Sequence, residues 1–346
     1  MEKNMPVIKL LPLLVCLSVN ILSSQHLTDA SVVCCERRDV LSALGSTLTV
    51  NDRESSEYKS SGDGFEISWN GASRGYDGRL EVKAANGELL CVNEVELADY
   101  LASVVGAEMV PGAGLEALKA QAVLARTFVE TAHRHEDKSW DFCDLTHCQS
   151  YKGLESATPS SRKAVDETEG LHLLFKGQPC EVYYHSTSGG RTANISNIWP
   201  DVNHDYLISV ADPYSSQSPH HSWTYVVSAS DLARSLGFCD IGDVRVIERS
   251  SDERVKLIAL KVGEEGILMG GWEFRMQVCQ ALGWNTVKSS WFEVERDAGA
   301  YVFSGFGLGH GVGLSQWGAK GMADEGKDFR EILAHYYPGT KVIIWQ

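Results

Sequence analysis

One carboxylate, Glu108, stands among small apolar residues in the sequence VVGAEMVPG. A carboxyl group in apolar surroundings resists ionisation, so its pKa rises towards neutrality and it can donate a proton. Donation to a glycosidic oxygen turns that oxygen into a leaving group. Glu108 is therefore the first candidate for a general acid. The alternative is a carboxylate at a helix end near Pro111 that makes only a structural hydrogen bond.

A second candidate region is the glycine-rich sequence FGLGHGVGLSQWG, which contains His310, Gln316 and Trp317. Glycines allow backbone N–H groups to approach a ligand closely, and an indole ring offers a flat face to a sugar. A nucleotide-binding loop would end in Lys-Ser or Lys-Thr, and this sequence does not. We therefore expect these three side chains to line a carbohydrate-binding groove.

Cysteine and histidine residues cluster in a short loop that contains Cys143, His147 and Cys148, with His133 and His135 upstream. Soft sulfur and nitrogen ligands are typical of zinc sites. With His135 as the fourth ligand the site is closed, which predicts a structural zinc in preference to a catalytic one. The alternative is a local disulfide between Cys143 and Cys148 in an oxidising compartment.

Arg126 lies eighteen residues after Glu108 on a segment of small and apolar residues. A cation beside Glu108 would lower the pKa of that carboxyl group and oppose proton donation. We therefore favour substrate binding for Arg126 over direct pairing with the acid. The alternative is an ion pair that fixes a loop.

The sequence HSTSGG begins at His185 and continues through Ser186, Thr187 and Ser188. Adjacent residues of a strand point to opposite faces, so His185 and Ser186 are not expected to form a nucleophilic pair. The three hydroxyl residues suit hydrogen bonding to a sugar, and an ordinary polar turn is the alternative. Residues 212–214 (DPY) are a further candidate for the rim of a groove.

The pattern of the whole chain predicts an α+β fold, with a β-rich core, packed helices and an inserted β-rich subdomain at about residues 206–295. In the second helix Leu118, Ala122 and Ala125 recur at helical spacing. Helices are predicted at residues 96–105, 114–133, 159–169, 229–236 and 271–282.

Residues 1–25 combine early lysines, an apolar stretch and closing small residues, a pattern typical of a secretion signal. A retained N-terminal membrane anchor is the alternative. Residues 26–63 are polar and serine-rich and predict a leader or linker, which leaves residues 64–346 as the folded domain. The protein is thus expected to be exported to the periplasm or cell envelope. Its formal charge of −15 argues against a nucleic-acid partner.

Several motifs in order resemble the stage II sporulation protein D and amidase-enhancer family of bacterial cell-wall proteins. They are LLCVNEVELADYL, VVGAEM with LEALKAQAVLART, CDLTHCQSYKG, YYHSTSGGRTANISNIW, YLISVADPYS, GFGLGHGVGLSQWGAKGMA and HYYPGT, and the resemblance covers residues 76–346. It implies a lytic transglycosylase that acts on peptidoglycan glycan strands. Such an enzyme would cleave between N-acetylmuramic acid and N-acetylglucosamine, leaving 1,6-anhydro ends, with Glu108 as its catalytic acid.

A hydrolytic glycosidase needs a second carboxylate, and none stands in a comparable motif. A lytic transglycosylase avoids this need, because the C6 hydroxyl of the substrate attacks the anomeric carbon. The second interpretation is a non-catalytic, glycan-binding activator of a cell-wall amidase. A zinc amidase is less favoured because the Cys/His cluster leaves no open metal position.

Overall fold

The computed structural model describes residues 16–135 and 137–345. They form a mixed α+β protein with several sheets, as the sequence predicted. The chain divides into two compact units. The first holds the described residues of Met1–Glu108 and Ala132–Glu169, and the second those of Met109–Thr131 and Gly170–Gln346.

The strands are short and lie mostly in antiparallel pairs. In chain order they are β1 (Cys16–Ile21), β2 (Asp29–Cys34), β3 (Arg37–Leu44), β4 (Thr47–Val50), β5 (Arg53–Ser55), β6 (Tyr58–Lys59), β7 (Phe65–Trp69), β8 (Ala72–Tyr76), β9 (Arg79–Ala85), β10 (Glu88–Glu96), β11 (Phe142–Cys143), β12 (Leu171–Phe175), β13 (Gln178–Pro179), β14 (Tyr184–His185), β15 (Ser222–Ser228), β16 (Asp243–Arg249), β17 (Val255–Val262), β18 (Glu265–Gly270), β19 (Phe292–Asp297), β20 (Ala300–Phe306), β21 (Leu314–Ser315) and β22 (Lys341–Ile344).

Several helices begin at recognisable caps, such as Thr158, Ser315 and the capping box of Asp328 with Glu331. In chain order they are α1 (Leu97–Glu108), α2 (Leu115–Thr131), α3 (Pro159–Asp166), α4 (Ile195–Ile198), α5 (Ala229–Ser235), α6 (Gly271–Leu282), α7 (Gln316–Asp324) and α8 (Phe329–Tyr336). Single 3₁₀ turns occur at Gly153–Glu155 and Pro213–Gln217.

The first unit contains two sheets, with strand orders β11-β1-β10-β9-β6 and β5-β4-β3-β2-β7-β8. Helix α1 follows β10 directly and packs against α3. A side chain at Gly106 would place its Cβ 1.8 Å from the carbonyl oxygen of Ser156. Glycine is therefore needed two residues before Glu108, because it lets the end of α1 lie against this backbone.

The prediction of a leader or linker at residues 26–63 is wrong, since β2 to β6 lie there. β2 alternates buried and less buried residues, as a strand with one face in a core does. The hairpin turns at Cys35–Glu36 and Asn51–Asp52 each have two residues with positive φ. Such two-residue turns let short strands pair without a glycine or proline signal, and the polar composition concealed them.

Part of the predicted signal segment also belongs to the first unit. β1 pairs residue by residue with β10, from Cys16 with Glu96 to Ile21 with Cys91, and its residues Leu17 and Val19 are buried. Cleavage after Gln25 would therefore remove a strand of this sheet. Residues 1–15 lie outside the described residues, and the signal itself remains a prediction. Among the described residues, no helix is long and apolar enough to span a membrane.

The second unit contains the sheets β13-β12-β22, β14-β21, β15-β20-β19 and β16-β17-β18. Helix α2 packs against β12, α7 and α8. A separate hydrophobic cluster extends from Trp223 to Phe303 and includes Leu232, Phe274 and Tyr301. The predicted inserted subdomain at 206–295 overlaps this cluster. The cluster extends beyond residue 295, to Phe303, because β20 pairs with both β15 and β19.

Candidate functional site

Glu108 is the last residue of α1, and it is partly buried. The helix is anchored by buried residues on its preceding turns, including Tyr100, Val104 and Val105. The Oε1 atom of Glu108 accepts a hydrogen bond from the backbone N–H of Ser150 at 2.6 Å. A hydrogen bond from a backbone N–H to a carboxylate restricts the position of that carboxylate. The first unit thus holds this candidate acid in a defined place.

The segment that carries Ser150 is itself fixed. The amide of Lys152 donates to Ser103 Oγ at 3.1 Å, and the Tyr100 hydroxyl donates to Gln149 Oε1 at 3.2 Å. The buried hydroxyl of Tyr151 donates to Asn93 Oδ1 at 2.7 Å. Three hydrogen bonds therefore hold this segment against α1 and β10. The position of the Ser150 amide is set by its neighbours on both sides.

The four predicted metal ligands lie together in the first unit. The ligand atoms of His135, Cys143, His147 and Cys148 are all within 4.8 Å of one another. Cys148 Sγ lies 3.3 Å from His135 Nε2 and 3.6 Å from His147 Nδ1, and Cys143 Sγ lies 3.7 Å from His147 Nδ1. Tetrahedral zinc, with bonds of about 2.3 Å to sulfur and 2.0–2.1 Å to nitrogen, separates such atoms by about 3.5 Å. The cluster therefore fits a closed zinc site.

One of the two thiols ionises readily. Both cysteines are free and buried. The hydrogen bond from the Cys148 thiol lowers the pKa of Cys143, and the same interaction raises the pKa of Cys148. The thiolate is the form of cysteine that binds metal. His133, the other histidine that the sequence offered, is not part of the cluster.

Arg126 lies in the second unit, whereas Glu108 lies in the first. Its side chain is 5% exposed, and Nη1 donates to the carbonyl oxygen of Leu171 at 3.3 Å. This bond links α2 to β12. Arg126 therefore makes a structural contact, and its role in substrate binding stays a prediction.

The three hydroxyl residues after His185 have different surroundings. Ser186 is partly buried, but Thr187 and Ser188 are 1% and 0% exposed. Ser188 Oγ donates to Asp212 Oδ2 at 2.6 Å and lies 3.1 Å from Ser215 Oγ. Thr187 and Ser188 are therefore interior residues in this structure. Of the three, only Ser186 is more than marginally exposed to solvent.

Asp212 is fully buried and is not on the rim of a groove. Its Oδ1 atom accepts from the Tyr336 hydroxyl at 2.8 Å, and its Oδ2 accepts from Ser188. Asp212→Ala would leave two buried donors unsatisfied, so we expect the free energy of unfolding to fall by about 3 kcal/mol. Urea unfolding followed by circular dichroism measures this loss. Tyr336→Phe removes one of the two bonds and should cost less than Asp212→Ala; equal losses would contradict this account.

His185 is 4% exposed, and its Nδ1 lies 3.1 Å from the carbonyl oxygen of Val312. Burial lowers the pKa of His185 well below its usual value, and the nearby His310 and Arg254 lower it further. His185 is thus neutral in the folded protein, whereas in the unfolded chain its ring takes up a proton below about pH 6.5.

The expected result is a loss of stability in mild acid. Because the unfolded state binds more protons, the free energy of unfolding should fall by up to about 1.4 kcal/mol between pH 7.5 and 5.5. Urea unfolding at both pH values tests this for the parent and for His185→Asn. Burial also lowers the pKa of His172, so a smaller dependence should persist in the variant. An identical dependence in both proteins would exclude His185 as the cause.

The glycine-rich segment packs mainly against the protein itself. Gly307, Gly311 and Gly313 have positive φ, and a Cβ on Gly313 would lie 2.0 Å from the carbonyl oxygen of Tyr183. A Cβ on Gly311 would lie 2.3 Å from the side chain of Arg254. These glycines are thus required for close packing and not only for the approach of a ligand.

The second unit also contains the three candidates of this segment, His310, Gln316 and Trp317. His310 is partly buried, with its ring centroid 5.4 Å from that of Trp199 and 6.1 Å from that of Tyr183. Trp317 is partly buried and its amide donates to the carbonyl oxygen of Ser186 at 3.0 Å. Gln316 begins α7 and is 6% exposed.

Residues 85–175 match the family model described as stage II sporulation protein. The chain is 31% identical over 267 residues to stage II sporulation protein D of Bacillus subtilis, which covers 72% of this chain and 75% of the relative. The chain belongs to the stage II sporulation protein D family.

Two other relatives extend this result. An uncharacterized protein of Brachyspira hyodysenteriae is 32% identical over 289 residues, with 81% of this chain and 74% of the relative covered. The amidase enhancer of Bacillus subtilis is 28% identical over 290 residues, with 69% of this chain and 40% of the relative covered. The segment that matches the stage II sporulation protein model contains Glu108, Arg126 and the whole Cys/His cluster.

Sequence reasoning about this family member missed residues whose roles depend on distant partners. Ser150 acts through its backbone, so its side chain gave no signal. The sequence predicted that Asp212 lies on the rim of a groove, whereas its carboxylate lies in a buried hydrogen-bond network. Trp272 and Arg254 stand in ordinary sequence, and only the fold brings them near Trp199 and the glycine-rich segment.

Proposed function

We propose that this member of the stage II sporulation protein D family is an exported peptidoglycan lytic transglycosylase. Family membership supports a cell-wall-related role. The observation that carries the specific activity is Glu108, a partly buried acid at the end of α1 whose Oε1 is held by the Ser150 amide. A positioned carboxyl group is what acid/base catalysis at a glycosidic bond requires.

Glu108 would act twice in one cycle. It first donates its proton to the glycosidic oxygen, so that the bond from that oxygen to the anomeric carbon of N-acetylmuramic acid breaks. The C6 oxygen of the same sugar then bonds to the anomeric carbon, and its proton passes to the Glu108 carboxylate. The acid is thereby regenerated and no water is consumed. One carboxylate suffices, in contrast to a hydrolase.

The Cys/His cluster would hold one structural zinc in this proposal. Zinc at such a site supplies a cross-link between chain segments and no open position for a substrate. His135, Cys143, His147 and Cys148 would be its ligands, and Cys148 stands two residues before Ser150. Their side chains would thus fix the loop whose backbone amide holds Glu108.

Mass spectrometry of the products tests the proposed reaction. Purified protein is incubated with peptidoglycan glycan strands, prepared both with and without stem peptides, and the ends formed are identified. We expect 1,6-anhydro-muramic acid ends. Reducing ends would instead mean hydrolysis and would require a second carboxylate.

A second candidate function is activation of a cell-wall amidase without glycan cleavage. It is favoured by the similarity to a protein named amidase enhancer. The test adds a purified cell-wall amidase to the same reactions. Faster amide cleavage, with no new glycan ends in any reaction, would select the activator and reject the transglycosylase.

A further inference from the structure

A row of aromatic side chains extends beyond the candidate residues of the second unit. We call Tyr183, Trp199, Trp272 and Trp284 the aromatic strip. The ring centroids of Tyr183 and Trp199 are 5.0 Å apart, and those of Trp199 and Trp272 are 6.0 Å apart. Tyr183, Trp199 and Trp272 are partly buried, and Trp284 is 53% exposed. Each residue of the strip therefore keeps some exposed surface, and Trp284 has the largest exposed fraction.

The outer part of the strip is not explained by the hydrophobic core. Helix α6 directs Phe274, Val278 and Cys279 into the cluster that extends from Trp223 to Phe303. Trp272 lies on the same helix and Trp284 lies two residues after its end, yet neither belongs to that cluster or to the residues packed against it. Large exposed aromatic rings outside a core commonly mark a binding surface.

Arg275 fixes the two outer indoles. Its guanidinium carbon lies 4.9 Å from the ring centroid of Trp272 and 5.8 Å from that of Trp284. The side chain is 4% exposed; Nη2 donates to the carbonyl oxygen of Lys288, and the buried Nε has no hydrogen-bond partner. A buried cation next to both rings restrains them, so little conformational entropy remains to be lost on binding.

We propose that Trp272 and Trp284 are additional sugar-binding positions, which extend glycan binding from the candidate residue His310, past Trp199, towards α6. This inference rests on the proposed action on glycan strands. A chain of N-acetylated sugars offers one ring face after another, and flat, restrained indoles bind such faces with little need for charge. The strip therefore favours long glycan chains over short ones.

Binding of sugar oligomers to the full chain tests the proposal. All proteins carry Glu108→Gln, so that no cleavage occurs, and calorimetry measures affinity for short and long oligomers of β-1,4-linked N-acetylglucosamine. The parent should bind long oligomers more tightly than short ones. Trp284→Ala and Trp272→Ala should each bind the longest oligomer roughly tenfold more weakly, with little change for the shortest.

Trp345→Ala, a matched change on a partly buried tryptophan after β22, is expected to bind as the parent does. Near-ultraviolet circular dichroism establishes that each variant is folded, and the exposure of Trp284 makes its replacement tolerable. Unchanged affinity of both strip variants for the longest oligomer would overturn this inference and leave the proposed function intact. No binding of any oligomer or glycan strand by the parent would overturn both.

Discussion

Glu108→Gln is expected to reduce the formation of 1,6-anhydro ends by about 10²–10⁴-fold, the usual contribution of general acid–base catalysis. Glutamine has nearly the same shape and can still accept the Ser150 N–H at the Oε1 position. The variant should therefore fold as the parent does. Its amide, however, can neither protonate the glycosidic oxygen nor accept the C6 hydroxyl proton. Quantitative mass spectrometry of products from purified glycan strands measures the loss.

Glu130→Gln provides the matched control, because Glu130 is an exposed glutamate of α2. We expect this control to retain the activity of the parent. A Glu108→Gln protein that cleaves glycan at the parental rate would remove Glu108 from the mechanism. Equal losses in both variants would point to a general effect of charge and not to acid catalysis.

Cys148→Ser is expected to eliminate bound zinc and to lower the free energy of unfolding by at least about 4 kcal/mol, because loss of a structural metal is among the largest single-residue effects. Glycan cleavage should fall by at least about tenfold as well. The physical reason is local: Cys148 precedes the Ser150 amide that holds Glu108. Metal content by elemental analysis, urea unfolding and product formation are measured on the same preparation.

The control is Cys239→Ser, since Cys239 is an exposed free thiol outside the cluster. This variant should keep about one zinc per chain. Wild-type protein prepared without chelators that contains no stoichiometric zinc would contradict the proposal. A disulfide between Cys143 and Cys148 in that protein, identified by mass spectrometry of unreduced peptides, would establish the alternative that the sequence offered.

The regular helices were predictable because their patterns are local. Helix α6 has the bounds that the sequence predicted, and α2 runs from Leu115 to Thr131 within the predicted 114–133. Buried small and apolar residues at helical spacing decide such elements. Local composition also explains why strands β2 to β6 were missed. They are short, many of their residues face solvent, and two of their hairpin turns, Cys35–Glu36 and Asn51–Asp52, contain no glycine or proline, so their composition resembles a linker.

The sequence predicted the chemistry of the candidate site but not which of its residues are buried. The sequence places three cluster ligands within six residues, and so the Cys/His cluster was found from spacing. Ser188 could not be assigned in this way. A hydroxyl that binds a sugar and a hydroxyl that donates to a buried carboxylate look alike in sequence, and its partner Asp212 is 24 residues away. The aromatic strip likewise joins side chains from distant segments.

The division of the chain between the two units has a consequence for biosynthesis. The chain leaves the first unit at Glu108, returns at Ala132 and leaves again at Glu169. All residues of the first unit, including the Cys/His cluster, have therefore been synthesised once synthesis passes Glu169. In the second unit β12 pairs with β22, which begins at Lys341. Contacts between such distant segments form late. The unit that carries the glycine-rich segment thus completes this sheet only after residues 341–344 have been synthesised, long after every described residue of the first unit.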